Sequence, residues 1–161
     1  MQQAPHPILV PLNFPSYPFR LQEKEGKLYI FDELRKKQLL CTPEEWVRQH
    51  LVQYMISQKG YPRGLVRIEG GLSVNERTRR SDVVFYDSHG KEQLLAECKS
   101  PRVAINDRVF AQIAMYNLQY RARFLLVTNG LDHYCCEMDY QRHTYRFLDD
   151  IPPFVSAQGN F

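Results

Sequence analysis

Ser81-Asp82-Val83-Val84-Phe85-Tyr86, followed after a short turn by Leu94-Leu95-Ala96-Glu97-Cys98-Lys99, decides how this chain is read. Val83 to Tyr86 are β-branched or aromatic, and Leu94-Leu95-Ala96 is a second apolar run, so each half predicts a strand. Between them Asp87-Ser88-His89-Gly90-Lys91 is turn chemistry, with Gly90 able to supply positive φ. Strands this apolar belong in a mostly buried sheet. Yet the first opens on an acid, Asp82, and the second closes on an acid and a lysine, Glu97 and Lys99. In an antiparallel hairpin the entrance of one strand lies beside the exit of the other, which brings Asp82 close to Glu97 and Lys99. The period of two puts Glu97 and Lys99 on one face and turns Cys98 toward a core on the other.

Two carboxylates held together are unfavourable unless positive charge sits between them. Lys99 supplies part of that charge, and a divalent cation would supply more. Hard oxygen donors suit Mg²⁺, with Mn²⁺ as a substitute, and Mg²⁺ takes only one or two protein carboxylates. Such an ion can polarise a phosphoryl oxygen and generate a hydroxide nucleophile. Lys99 can then orient or deprotonate the water, or offset charge on the phosphorus. A strand-end salt-bridge cluster is the plain structural reading of the same three charges.

The flanking sequence supplies a frame for this hairpin. Residues 1–18 carry Pro5, Pro7, Pro11, Pro15 and Pro18, which forbids a regular helix or a central strand and predicts an extended arm. Its aromatics Phe14 and Tyr17, with Phe19, are suited to pin it to the domain surface. Two short strand-like pieces flank Glu25-Gly26-Lys27, the clearer being Leu28–Asp32, and Arg35-Lys36-Lys37 reads as a solvated basic turn. Thr42-Pro43-Glu44-Glu45 is a helix start, with Thr42 as N-cap, Pro43 in the first turn and Glu45 completing a capping box. That helix should run to about Lys59 and stop at Gly60, with Val47, Leu51, Tyr54, Met55 and Gln58 on one face.

Leu65–Glu69 predicts a further strand, with Gly70-Gly71 a bulge or kink. Arg77, Arg79 and Arg80 form a basic loop just before Asp82, placed to hold phosphates. After Lys99, Ser100-Pro101 breaks the strand. Asn106 or Asp107 caps a second helix reaching about Tyr120, packed through Phe110, Ile113, Ala114 and Asn117 or Leu118. Gln112 and Tyr116, four apart, are neighbours on its surface. Phe124–Val127 predicts a strand parallel to its partner, since a helix precedes it. Asn129-Gly130 turns the chain into a terminal hairpin, 131–139 with 144–148. Ile151-Pro152-Pro153 ends regular structure, with a loose tail from 149. The domain proper is therefore 19–148.

Thr42-Pro43-Glu44-Glu45-Trp46-Val47-Arg48-Gln49, Arg80-Ser81-Asp82-Val83-Val84, Glu97-Cys98-Lys99-Ser100-Pro101, Gln112 to Asn117 and Val127-Thr128-Asn129-Gly130 stand in family order. In them the chain resembles the PD-(D/E)xK nuclease superfamily and, more narrowly, the N-terminal domain of type I restriction enzyme R subunits. The usual proline before the first acid is here Ser81. The resemblance implies an α/β, restriction-endonuclease-like mixed sheet with an αβββαβ core, to which the C-terminal hairpin is added. It implies metal binding by Asp82, Glu97 and the Cys98 carbonyl, with Lys99 assisting the water and Gln112 and Tyr116 supporting the site. An acid from the first helix, Glu44 or Glu45, joins the metal in many relatives. It also implies DNA as substrate, restriction or defence as setting, and translocase and specificity subunits on separate chains as partners.

At 161 residues, 43% hydrophobic and 24% charged, the chain has the composition of one globular domain. The net charge of +3 permits nucleic-acid binding only through a local patch. No apolar run reaches membrane-spanning length and no signal-peptide pattern opens the chain, so a cytoplasmic location is expected. Cys41, Cys98, Cys135 and Cys136 form no CxxC pair, and adjacent Cys135 and Cys136 should face opposite ways, which argues for reduced structural thiols over a zinc site. Three functions compete: a Mg²⁺-dependent DNA endonuclease, a catalytically silent nucleic-acid- or protein-binding module on the same fold, and an assembly subunit whose acids are ion pairs. No phosphate-cradling GxxxxGK[ST] occurs, so this chain carries no ATPase motor of that type.

Overall fold

The computed structural model describes residues 5–69, 83–118 and 121–156, and of residues 116 and 117 only the backbone. Leu21–Lys24 (β1), Lys27–Asp32 (β2) and Lys37–Leu40 (β3) form a small antiparallel sheet. Turns at Glu25-Gly26 and at Lys36 adopt positive φ, and the chain reverses within two and four residues respectively. The strand β3 was not expected. Its signal, Gln38-Leu39-Leu40, is short, and the basic run beside it reads as turn.

The helix Pro43–Ser57 (α1) follows. Thr42 caps it, its hydroxyl accepting from the Glu45 N–H at 3.1 Å. The capping box is only half made. The Thr42 N–H donates to the Leu40 carbonyl, and the Glu45 side chain turns into the protein. Val47, Leu51 and Met55 are buried as expected, while Gln58 ends exposed at the C-cap. Burying those three contributes about 1.5–3 kcal/mol each. A 3-10 turn at Arg63–Leu65 then shortens the next strand, Val66–Ile68 (β4), relative to the expected Leu65–Glu69. Gly70 and Gly71 lie outside the described residues.

Val83–Tyr86 (β5) and Glu92–Cys98 (β6) make the expected antiparallel hairpin. Asp87 Oδ1 accepts from the His89 and Lys91 N–H groups at 2.8 and 3.0 Å, and Gly90 sits at φ 80°. The second helix is Asp107–Asn117 (α2), capped by Asn106 Oδ1 accepting from the Val109 N–H at 2.9 Å. Phe124–Thr128 (β7) returns parallel to β6. His133–Asp139 (β8) and Thr144–Phe147 (β9) form the terminal hairpin. Among the described residues the main sheet has strand order β4-β5-β6-β7-β8-β9, antiparallel throughout except β6–β7.

The sheet separates two cores. Val83, Phe85, Leu94, Ala96, Cys98, Leu126 and Cys135 face α1. Val84, Leu95, Leu125, Val127 and Cys136 face α2 through Phe110, Ile113 and Ala114. Cys135 and Cys136 thus point to opposite faces, as adjacent strand residues must.

Both ends of the described chain are packed. Phe14 lies against Tyr54 and His133, with ring centroids 5.4 and 4.4 Å away, and the Asn13 N–H donates to the Gly130 carbonyl at 2.7 Å. The tail, expected to be loose from 149, is anchored as far as Phe154. Ile151 is buried, Tyr61 Oη donates to the Pro152 carbonyl at 3.0 Å, and the Phe154 N–H donates to the Lys59 carbonyl at 2.8 Å. Two prolines bar regular structure there, but side-chain burial anchors the segment without it. Among the described residues no helix is long and apolar enough to cross a membrane.

Candidate functional site

The end of β6 is where the sheet changes from antiparallel to parallel pairing. Leu95, Glu97 and Lys99 alternate with Leu94, Ala96 and Cys98, so the side chains of Glu97 and Lys99 leave the sheet on the α2 face. Leu95 seals that face below them, and Cys98 is buried toward α1. Glu97 pairs in register with Val127, an apolar neighbour that lowers the local dielectric. The Lys99 ammonium lies 3.7 Å from Glu97 Oε1, the side chains being 32% and 20% exposed. The pair is therefore formed, partly dry and still reachable by solvent.

Backbone ties hold this end rigid. The Lys99 N–H donates to the Thr128 carbonyl at 2.8 Å. Thr128 Oγ1 accepts from the Gly130 N–H at 3.0 Å and lies 2.7 Å from His133 Nδ1. His133 Nε2 lies 3.0 Å from the Asn13 carbonyl, which can only accept. The ring therefore donates from Nε2, and Nδ1 shares its hydrogen bond with the Thr128 hydroxyl. Asn129 spans the gap beyond. Its Oδ1 accepts from the Leu131 and Asp132 N–H groups, and its Nδ2 donates to the Val103 carbonyl at 2.8 Å, fastening the loop that follows Lys99.

Of the residues singled out in the sequence, Glu97 and Lys99 come together and Cys98 supplies the backbone between them. Asp82 and Arg77, Arg79 and Arg80 lie outside the described residues. Val83, next in the chain after Asp82, pairs with Ala96, the residue before Glu97. Gln112 is exposed on α2, and the side chain of Tyr116 is outside the described residues. Glu44 is exposed in the first turn of α1. Glu45 belongs to a buried network, bonded to Arg48, to Arg35 at 3.1 Å and to Gln49 Nε2 at 2.9 Å. Asp32, only 1% exposed, completes it. It accepts from the Arg35 guanidinium at 2.6 Å, the Leu34 and Arg35 N–H groups at 2.9 and 2.8 Å, and Gln49 Nε2 at 3.1 Å. Burial raises the Asp32 pKa, but the Arg35 N–H and guanidinium, with Gln49, outweigh it and hold the carboxyl below its usual range. Arg35, expected in a solvated turn, is with Arg48 a cation of this network.

Glu69, read in the sequence only as the end of a strand, carries a half-paired carboxylate. Its side chain is 9% exposed, Oε1 pairs with Arg67, and Oε2 is buried with no hydrogen-bond partner among the described residues. An acid closing the strand-like run Leu65-Val66-Arg67-Ile68 was the available signal. Among the described residues no three His, Cys, Asp or Glu converge on one point.

No curated protein matches the chain. The family model described as type I restriction enzyme R protein N terminus matches residues 43–152. The match opens on the first residue of α1 and takes in β4 to β9, with the Glu97–Lys99 pair near its middle. It covers more than half of the 161 residues, and the chain accordingly belongs to the type I restriction enzyme R protein N-terminal family.

Proposed function

We propose that the chain is a Mg²⁺-dependent DNA phosphodiester hydrolase, an endonuclease in a restriction or defence setting, built on a restriction-endonuclease-like αβββαβ core of the PD-(D/E)xK kind. The observation that carries this reading is the Glu97–Lys99 pair, held on one face at the end of β6, 3.7 Å apart and half-dry. An ion pair needed only for stability gains little in such a partly exposed place. A carboxylate and an ammonium on a rigid strand end suit a reacting phosphate far better.

Carboxylate and carbonyl oxygens from Asp82, Glu97 and Cys98 are the donors that fit a hard cation. Bound Mg²⁺ would supply charge neutralisation at the phosphate and lower the pKa of water. Lys99 presents its ammonium beside the phosphate and orients the attacking water. Gln112 and Tyr116 support substrate from α2, and Arg77, Arg79 and Arg80 hold DNA phosphates before and after the cut. Glu45, bonded to Arg35, Arg48 and Gln49, is assigned to the support of α1, and exposed Glu44 is the acid of that helix left to approach the site. Translocase and specificity subunits on separate chains are the partners this family suggests, in the cytoplasm.

The test is Mn²⁺ and Mg²⁺ titration of wild type and Asp82→Ala by calorimetry, with incubation of both on linear, circular and single-stranded DNA. Wild type should bind metal and cut DNA, and Asp82→Ala should do neither. A wild type that binds no divalent ion, even with DNA present, overturns the reading. DNA held without metal and unaffected by Asp82→Ala would mark a silent binding module instead.

A further inference from the structure

We infer that Glu69 is a further carboxylate of the same site, beside Asp82 and Glu97, meeting the divalent cation that the proposed function requires, on which reading this inference rests. Ile68 pairs with Val83, and Val83 pairs with Ala96. Ile68 and Ala96 therefore share one cross-strand row, two strand spacings or roughly 9–10 Å apart. Strands β4 and β6 both run antiparallel to β5, so they run the same way. Glu69 and Glu97 are the residues that follow Ile68 and Ala96, each one step further toward the same end of the sheet.

They also leave on the same face. Ile68 and Ala96 pack toward α1. Arg67, one residue before Ile68, lies with its guanidinium 5.5 Å over the Tyr86 ring, and Tyr86 packs against the core under α2. Glu69 pairs with Arg67 across two residues, as extended neighbours on one face do. Glu97 stands on that face too, in register with Val127 of the same core.

The state of the carboxylate points to a ligand. Asp32, a structural acid in this protein, spends both oxygens on donors from Leu34, Arg35 and Gln49. Glu69 spends only Oε1, on Arg67, while Oε2 is buried with no hydrogen-bond partner among the described residues. A buried carboxylate oxygen with no donor is unfavourable until a cation or proton meets it. A hard divalent ion held by carboxylate oxygens, its other positions filled by water or phosphate, is the occupant that removes this cost.

The test uses Mn²⁺ alone with the full chain. Glu69→Gln should weaken Mn²⁺ binding at least about tenfold by calorimetry. The loss should persist in about 0.5 M salt, where a merely through-solvent charge effect is screened. In the wild type, where folding is not in question, Mn²⁺ should broaden the ¹³Cδ signals of both Glu69 and Glu97 and spare those of Glu23 and Glu25. Wild-type affinity in Glu69→Gln, with binding abolished in Asp82→Ala, overturns this inference and leaves the endonuclease reading intact. Broadening of Glu97 without Glu69 does the same. A wild type that binds no Mn²⁺ overturns the endonuclease reading itself, and this inference with it.

Discussion

The Lys99 N–H donates to the Thr128 carbonyl at 2.8 Å, one residue past the last registered pair of β6 and β7, Cys98 and Thr128. The parallel ladder thus extends under the pair of charged side chains rather than stopping before it. Thr128 is itself gripped by Gly130 and His133, and His133 by the N-terminal arm. The backbone that carries Glu97 and Lys99 is therefore held from both sides of the sheet end.

On the proposed chemistry Lys99→Ala separates binding from turnover. Cleavage should fall by about 10²–10⁴-fold, the range for a lost proton-transfer or charge-stabilising group. Mn²⁺ affinity should stay at or above the wild-type level, because an ammonium repels the ion. Parallel calorimetry and cleavage assays read both quantities, and an equal loss of the two would contradict the assigned role.

Gly130 is where the arm meets the sheet. Its φ is 85°, and a Cβ there would come within 2.7 Å of Leu12 Cδ2 and 3.1 Å of Val47 Cγ2. Gly130→Ala should destabilise the fold by about 1–3 kcal/mol in urea melts, from left-handed backbone and overpacking together. In a Leu12→Ala background part of the overpacking is relieved, so the same substitution should cost less, leaving the backbone share of about 1–2 kcal/mol. An unchanged cost in that background would show that Leu12 is not the obstacle.

His50 is buried among Phe14, Phe19 and Trp46, and its Nδ1 donates to the Trp46 carbonyl at 2.8 Å. Burial lowers its pKa from the ordinary 6.5, and the Trp46 carbonyl only partly opposes this. Between the lowered folded value and 6.5 the unfolded chain binds more protons, so stability falls as pH drops through that window. Urea midpoints measured from pH 7 downward should decline in wild type and flatten over that window in His50→Gln.

Asp32 behaves oppositely to a solvated acid. Its folded pKa lies below the ordinary 3.8, so its contribution is fully present above that value and is lost as pH falls through the folded pKa. Asp32→Asn at neutral pH should cost about 3–5 kcal/mol, the range for breaking a buried pair. It should also remove part of the acid-unfolding slope below pH 3.8. A variant as stable as wild type would mean that neighbouring groups replace the charge.

Burial pushes the thiols of Cys41, Cys135 and Cys136 up to about 12. Native protein at pH 7 should therefore resist thiol reagents, and all 4 cysteines should react at once on unfolding. Fast labelling of any one under native conditions would reveal local opening at that site.

Local sequence carried much of the fold. Thr42 and Asn106 announce helix starts because a cap acts over three residues. Val83–Tyr86, Glu92–Cys98 and Phe124–Thr128 announce strands because side-chain alternation needs no distant partner. The Glu97–Lys99 pairing is legible for the same reason, being two residues apart on one strand. What the tertiary structure decided are the contacts between segments remote in sequence. Arg35 looks solvated until α1 brings Glu45 against it, and Glu45 looks like half of a capping box until Arg35, Arg48 and Gln49 claim it. The segment around Pro152 reads as a loose end until Tyr61 holds the Pro152 carbonyl and the Lys59 carbonyl accepts from the Phe154 N–H. Glu69 reads as the last residue of a strand until the register of Ile68 and Ala96 through Val83 brings it to the same end of the sheet as Glu97, two strands away. Turn, cap and period are short-range physics that a sequence displays directly. Whether a charge is buried, and by what it is met, depends on which distant surface folds over it.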